Sequence, residues 1–324
     1  MRKYNEWLPG AWAKSLPDSY FSSMGSLVDD VTQGWFTEKD VAEGYADYIR
    51  ARYIFGRMEI CHDRIMPWLT EAIPYLGNVL EIGCGNGSAT VCLAERAAHV
   101  FAFDLAADQV EVAKKRCDLL SVANVTAFAQ PVSWIDDYFV DPSKITKSAD
   151  TIVCYALFEH LLPAERIKLL IGAWKQLPIG GHLVIIETPN RLYPFDWHSS
   201  QMPFMDQLPP EISYLWNSFS GRNSIAKDIK ATTLAEMREG NIERLYRFGR
   251  GASFHEFYAA LGADNFEIAN KSILDRREFL QWNQSWIDVL HEQFGMVTPV
   301  PHVAFAQPCL DLIVKKTGNS RMSE

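Results

Sequence analysis

The stretch Val79-Leu-Glu-Ile-Gly-Cys-Gly-Asn-Gly-Ser-Ala-Thr90 puts Gly83, Gly85 and Gly87 in a G-x-G-x-G spacing, between an apolar run and a helix-like segment. Glycines in that place let the chain turn tightly and let a ligand touch bare backbone. Ser88 stands where a dinucleotide fingerprint carries its third glycine. Glu81, at the end of the apolar run, can hold the loop through backbone N–H groups; it would repel a pyrophosphate but not a sulfonium or ammonium. Seventeen residues beyond Gly87 a second apolar run ends in Phe103-Asp104. An aspartate there can accept hydrogen bonds from both hydroxyls of a ribose, each contributing about 1.5–3 kcal/mol when charge-assisted. Arg50, Arg52 and Tyr53, on a preceding helix, could cover such a ligand, with Arg52 binding a carboxylate, or simply form a solvated face.

A second group of reactive side chains follows. Glu159-His160 comes after an apolar run at Thr151–Tyr155, where His160 can act as a general base or cap the next helix. After the run His182–Glu187 comes a loop holding Asn190, Arg191, Asp196 and His198, interleaved with Tyr193, Phe195 and Trp197. His198 and Asp196 either point at a substrate or hold a turn; Asn190, Arg191, Tyr193 and Trp197 are the further candidates for substrate contact. His160 and His198, with Glu159 or Asp196, could also form a two-histidine metal site, but sequence does not bring them within ligand distance.

Those groups need a scaffold, and the pattern supplies one. Short apolar strands at 78–82, 99–103, 125–129, 151–155 and 182–187 alternate with helical periodicities at 88–98, 110–120 and 163–174. Strands of that kind, separated by helices, make a parallel sheet covered on both faces. Residues 1–36 read as an irregular arm. A helix N-capped by Thr37, with Asp40 three residues on, carries Val41, Tyr45, Tyr48 and Ile49 on one face, and helices run to about Leu69 with a break at Pro67. Prolines and aromatics at 190–250 mark a cap insertion without a core of its own. A helix at 253–261, a strand near 266–273, a second insertion at 276–305 with Trp282 and Trp286, and a last strand at 310–315 complete the chain. The expected divisions are 1–74 (arm and covering helices), 75–190 (ligand-binding core), 191–252 (cap) and 253–324 (completion of the sheet).

Composition narrows the field. Of 324 residues 48% are hydrophobic and 22% charged, the profile of a packed globular protein. The net charge of −9 and the lack of Lys/Arg clusters argue against nucleic acid as a partner. There is no run of 18 apolar residues, hence no membrane span, and no secretory leader is expected. Six scattered cysteines without a CxxC pair read as reduced thiols, so a cytoplasmic protein is expected, with a homodimer left open.

The glycine motif with Glu81, the acidic Asp104 and the run Tyr155-Ala-Leu-Phe-Glu-His-Leu161 resembles the class I S-adenosylmethionine-dependent methyltransferases, in particular a small-molecule subgroup with a Glu-His pair after strand four. The likeness covers residues 75–190 well and 253–316 by pattern only. It implies a Rossmann-like α/β fold, a seven-stranded mostly parallel sheet with its last strand antiparallel, and S-adenosyl-L-methionine as cofactor. Carried over by position, Gly83, Cys84, Gly85 and Gly87 cradle methionine and ribose, Asp104 holds the ribose and Leu105 faces the adenine; Gln130 and Tyr155 are further cofactor contacts. Gln130-Pro131-Val132 departs from the acidic residue usual after strand three. Some relatives bind a divalent metal through Glu-x-x-Glu-His; here Ala156 replaces the first Glu, so no metal is assigned. The resemblance implies methyl transfer to a small-molecule hydroxyl, with His160 or His198 as base. A nitrogen, sulfur or sugar acceptor, an NAD-dependent oxidoreductase and a non-catalytic nucleotide-binding protein are the alternatives.

Overall fold

A computed structural model describes residues 7–130, 148–220, 239–277 and 283–320. The expectations at Pro131, Val132 and Trp282 lie outside the described residues. The chain divides into two compact units, 1–132 and 133–324, so the division falls between the third and fourth strands, inside the stretch expected as one core.

The first unit opens with a helix where an irregular arm was expected. Helix α1 (Asp18–Val31) buries Tyr20, Met24, Gly25 and Val28 on one face. The serines and aspartates between them mask the period in the sequence. Helix α2 (Glu38–Ala42) starts at the anticipated capping box of Thr37 and Asp40. It stops at Gly44, in the left-handed conformation, before α3 (Tyr45–Ala51). From there α3, α4 (Arg57–Ile60) and α5 (Met66–Ala72) run on through two wide π turns, Arg52–Gly56 and Cys61–Ile65. The expected break at Pro67 does not occur. The proline lies in the first turn of α5, directly after the second π turn, where its missing N–H interrupts least.

Strand β1 (Gly77–Ile82), helix α6 (Ser88–Ala94), strand β2 (Ala97–Asp104), helix α7 (Ala107–Leu119) and strand β3 (Val125–Ala129) follow as expected, in the order β3-β2-β1 with parallel pairing. Val79–Ile82 and Val100–Phe103 are wholly buried, which is why the second reads as an unbroken apolar run and the first as one interrupted only by Glu81.

The second unit contributes β4 (Thr151–Tyr155), α8 (Pro163–Gln176), β5 (His182–Pro189), α9 (Pro210–Trp216), α10 (Glu239–Phe248), α11 (Phe254–Leu261), β6 (Phe266–Ile268), α12 (Gln284–Phe294) and β7 (Cys309–Lys316). The order is β4-β5-β7-β6; β4 and β5 are parallel, and β7 is antiparallel to both neighbours. All seven strands share one sheet, the Rossmann-like arrangement expected. Strand β6 is shorter than its apolar pattern. Beyond Ile268 only Ala269 N–H still donates to β7, at Ile313 O (2.7 Å), and the side chain of Asn270 then takes over, donating to Asp311 O (2.7 Å) and accepting from Ile313 N–H (2.7 Å). The cap does own a small core, contrary to expectation: Met202, Met205, Tyr214 and Leu245 pack together with Leu215 and Phe248 against them.

Candidate functional site

In the first unit the glycine loop leaves β1 with Gly83, Gly85 and Gly87 all at positive φ. Gly87 cannot be replaced cheaply: at φ 75° a Cβ would lie 2.7 Å from Cβ and 2.8 Å from Cα of Ala113, so α7 must pass against bare backbone. Main-chain bonds pin the loop to the end of β2, with Gly83 and Cys84 N–H both donating to Phe103 O (2.9 and 3.0 Å) and Gly87 N–H to Cys84 O (3.0 Å).

Asp104 ends β2 and organises this corner. Its Oδ2 accepts from Gly85 N–H (2.8 Å) and its Oδ1 from Ala106 N–H (3.0 Å). Each oxygen retains a second lone pair, the capacity a ribose diol requires. Leu105, the next residue, is 61% exposed, an apolar surface suited to a flat ring. Gln130 is buried, its N–H donating to Asp104 O (3.0 Å), and Arg52 opens the first π turn, half-buried.

Glu81 differs from its expected role. It is buried and accepts from Thr90 Oγ1 (2.6 Å), while Asp104 and the Phe103 carbonyl take the loop N–H groups. Burial pushes its carboxyl up to about 8, opposed by the Thr90 hydrogen bond and reinforced by the charge of Asp104.

A residue the sequence reading missed ties this loop down. Arg116 of α7 is fully buried, and its Nε donates to Asn86 O in the loop (2.9 Å). Its terminal nitrogens donate to Ile54 O (2.8 Å) and Tyr53 O (2.6 Å) in the first π turn, and to the Tyr20 hydroxyl. Burial lowers its pKa. Arg116 falls one turn from Ala113 and beside Cys117, on the apolar side of α7, and that register was the available signal.

The second unit brings Glu159, His160 and His198 together. One potential ligand atom from each lies within 4.8 Å of the others. Glu159, in the 3-10 turn Phe158–His160, is completely buried. Its Oε2 accepts from Thr188 Oγ1 (3.1 Å), whereas Oε1 has no hydrogen-bond donor among the described residues and lies 3.6 Å from His160 Nε2 and 3.9 Å from His198 Nε2. Burial raises its pKa, partly countered by His160. The imidazoles pack edge to face, centroids 5.4 Å apart.

Hydrogen bonding fixes the tautomers. His160 Nδ1 lies 2.9 Å from Arg247 O, which can only accept, so Nδ1 carries the proton. His198 Nδ1 lies 3.1 Å from Ser199 Oγ, whose own proton goes to Gly249 O, so Nδ1 again donates. In the neutral rings both Nε2 atoms therefore carry lone pairs.

The surrounding loop residues are mostly occupied in building the turn. Asp196, buried, accepts from His198 N–H (3.0 Å), Ser199 N–H (2.9 Å) and Ser200 N–H (2.6 Å), so it holds His198 in place instead of facing a substrate. Asn190 is also buried; its amide donates to Phe305 O (2.7 Å) and Gln307 O (2.8 Å), and its Oδ1 accepts from Leu192 N–H (3.0 Å), an anchor with no surface to offer. Arg191 reaches Gly251 O (3.0 Å) and Glu256 (3.2 Å), Tyr193 is buried with its hydroxyl accepting from Asn283 N–H (2.9 Å), and Trp197 donates to Pro308 O (3.0 Å). Tyr155 closes β4, buried. A second missed arginine, Arg166, is fully buried in α8 and donates to Glu159 O (3.1 Å), Arg250 O (2.5 Å) and Gly251 O (2.8 Å); burial lowers its pKa to about 10.

A methyltransferase-domain family model matches residues 79–181. The putative methyltransferase YqeM of Bacillus subtilis strain 168 is 23% identical over 175 residues; the chain spans 63% of that relative's length, and the match takes in 51% of this chain. Among solved structures, PKMT2 from Rickettsia typhi in complex with AdoHcy is 15% identical with a TM-score of 0.47, covering 80% of this chain and 54% of that one. Magnesium protoporphyrin IX methyltransferase (ChlM) from Synechocystis PCC 6803 with bound SAH is 17% identical with a TM-score of 0.41, covering 80% and 92%. Residues 79–181, which run from β1 into the turn before β5, are thus the part of the chain that matches a methyltransferase domain.

Proposed function

We propose that this chain is an S-adenosylmethionine-dependent methyltransferase that transfers the methyl group to a hydroxyl oxygen of a small molecule. The observation carrying the cofactor assignment is Asp104, which holds Gly85 N–H and its own turn while retaining two acceptor lone pairs, next to an exposed Leu105. A ribose takes those lone pairs and an adenine covers the leucine. The glycine backbone offers room for the methionine part, and Ser88 stands where a pyrophosphate-binding fingerprint would carry its third glycine.

Methyl transfer from a sulfonium is an in-line displacement in which the donor is already activated. The protein aligns the acceptor and excludes water; a hydroxyl acceptor also has to lose its proton. That step is assigned to Glu159, His160 and His198, in its simplest form with an Nε2 lone pair as the base. Their Nδ1–H bonds to Arg247 O and Ser199 Oγ fix the rings and make Nε2 the basic atom.

Calorimetric titration tests the reading. S-adenosylhomocysteine binds with one site and NAD does not; Asp104→Ala weakens the former by about 1–3 kcal/mol. With a true acceptor, His160→Ala and His198→Ala each lower kcat by ~10²–10⁴ and leave S-adenosylhomocysteine affinity unchanged. Absence of S-adenosylhomocysteine binding, or preference for NAD, removes the assignment.

A further inference from the structure

The insertion between β6 and β7 forms a cavity of about 350 Å³ in the second unit, near the lower end of the range of small-ligand pockets. Helix α12 lines it with Gln284, Ile287, Asp288 and His291, residues spaced i, i+3, i+4 and i+7 and therefore on one face. A helix packed on an apolar core would carry aliphatic side chains at those positions; here all but Ile287 are polar. Ile273 and Val303 complete the apolar part of the wall, and Asp275, Arg277 and Gln307 the polar part. Glu159, His160 and His198 do not line the cavity, so it is distinct from the group assigned to proton removal.

The polar groups are unevenly paired. Asp275 is neutralised by Arg277, which donates to both carboxylate oxygens (2.6, 3.0 and 3.1 Å). Asp288 accepts from Gln284 Nε2 through Oδ1 (2.8 Å) and has no cationic partner among the described residues. Gln307 is buried, its Nε2 donating to Val303 O (3.3 Å) and its main-chain O accepting from Asn190 Nδ2 (2.8 Å). Its Oε1 receives no hydrogen bond among the described residues. The wall thus holds one uncompensated negative charge and one orphaned acceptor, beside three branched aliphatic side chains and no Phe, Tyr or Trp. Unmatched acceptors call for a ligand rich in N–H or O–H donors. The charge selects an ammonium, and a quaternary one is disfavoured because it takes a cage of aromatic rings.

We propose that this cavity binds a small aliphatic primary amine in its ammonium form, with its N–H groups on Asp288 and its carbon chain along Ile273, Ile287 and Val303. A second donor on the ligand, N–H or O–H, satisfies Gln307. The site stands whether or not the chain transfers methyl groups.

NMR titration of the isotope-labelled full chain tests it, following the amides of α12 and Gln307. The probes are cadaverine, the terminal diol and the dicarboxylate of the same chain length, and glucosamine as an amine borne on a sugar. Cadaverine is expected to give saturable shifts in α12, the diol to bind at least about tenfold more weakly and the dicarboxylate not at all. Asp288→Asn, at an exposed position, is expected to weaken cadaverine by about tenfold or more. Glu292→Gln, exposed on the same helix but outside the cavity wall, leaves the affinity unchanged, which separates a site from general attraction to a chain of net charge −9. Tighter binding of glucosamine than of cadaverine supports the site with a sugar-borne amine as its ligand, and the reverse order supports it with an open-chain one. No saturable shift with either amine, equal affinity for cadaverine and the diol, or an Asp288→Asn affinity equal to wild type overturns the proposal.

Discussion

Truncating Arg116 tests whether the glycine loop owes its position to one buried cation. Its side chain is wholly enclosed in the first unit and satisfies the carbonyls of Asn86, Ile54 and Tyr53 at 2.9, 2.8 and 2.6 Å. In Arg116→Ala these three acceptors lose their donor, at about 1–3 kcal/mol each where water cannot replace it. Against this, the mutant no longer buries a charge without a carboxylate partner, which returns several kcal/mol. A net loss of about 3 kcal/mol is the reasoned outcome. At a slope of about 2 kcal/mol/M for the first unit, the urea midpoint falls by roughly 1.5 M. Arg116→Met keeps most of the volume and removes only the polar bonds, so it separates cavity from hydrogen bonding. Because Nε holds Asn86 inside the loop, Arg116→Met is also expected to weaken S-adenosylhomocysteine about tenfold by calorimetry. A urea midpoint for Arg116→Met equal to wild type would show that the carbonyls are satisfied another way, and unchanged ligand affinity would uncouple Arg116 from the loop.

Two further outcomes follow from the same unit. Gly87→Ala, whose Cβ would meet Ala113 at 2.7 Å, is expected to lower the unfolding midpoint by the equivalent of about 2–3 kcal/mol, whereas Gly85→Ala meets nothing within 4 Å and costs only the strain of its positive φ, about 1 kcal/mol; equal losses would refute the packing argument. Glu81 has a folded-state pKa of about 8 against 4.5 in the unfolded chain, so the folded state holds the extra proton between those values and stability declines as pH rises through that window. Urea midpoints between pH 5.5 and 7.5 should fall for wild type relative to Glu81→Gln by about 1.4 kcal/mol per pH unit, and parallel curves for the two proteins would refute it.

Strand β4 was legible because burial on both faces leaves a near-continuous apolar run at Thr151–Tyr155, whereas β3 (Val125–Ala129), only half-buried, was marked by its β-branched and aromatic residues; both match their expected bounds. Helix α1 was not, since only Tyr20, Met24, Gly25 and Val28 are buried and one of them has no side chain. The glycine loop announced itself through residue type, and Glu159-His160 through adjacency. Asn190 and Asp196 misled for a physical reason: a carboxylate or amide in a loop can bind its own backbone two to four residues on, and sequence does not separate that from binding a ligand. The convergence of His198 on Glu159 depends on the turn that Asp196 builds, so it could not be read before the turn was seen.

Both units place a buried arginine behind the loop that carries the chemistry. Arg116 joins Asn86 to the first π turn, and Arg166 joins Glu159 to the carbonyls of Arg250 and Gly251. In each helix the arginine occupies the apolar face: Arg166 is buried with Leu169, Leu170 and Ala173, three, four and seven residues on. A lysine or water would satisfy one or two of these carbonyls, but the planar guanidinium fixes several at set angles with a single rigid group. Loop carbonyls tied in this way cannot drift without exposing unsatisfied groups to a dry interior, so small displacements are costly. Placing a ribose on Asp104, as proposed, requires a position held to fractions of an ångström. A charge enclosed at a desolvation cost is consistent with that requirement: the arginines contribute loop geometry, and the carbonyls they satisfy together with the apolar packing around them offset the cost of enclosing them.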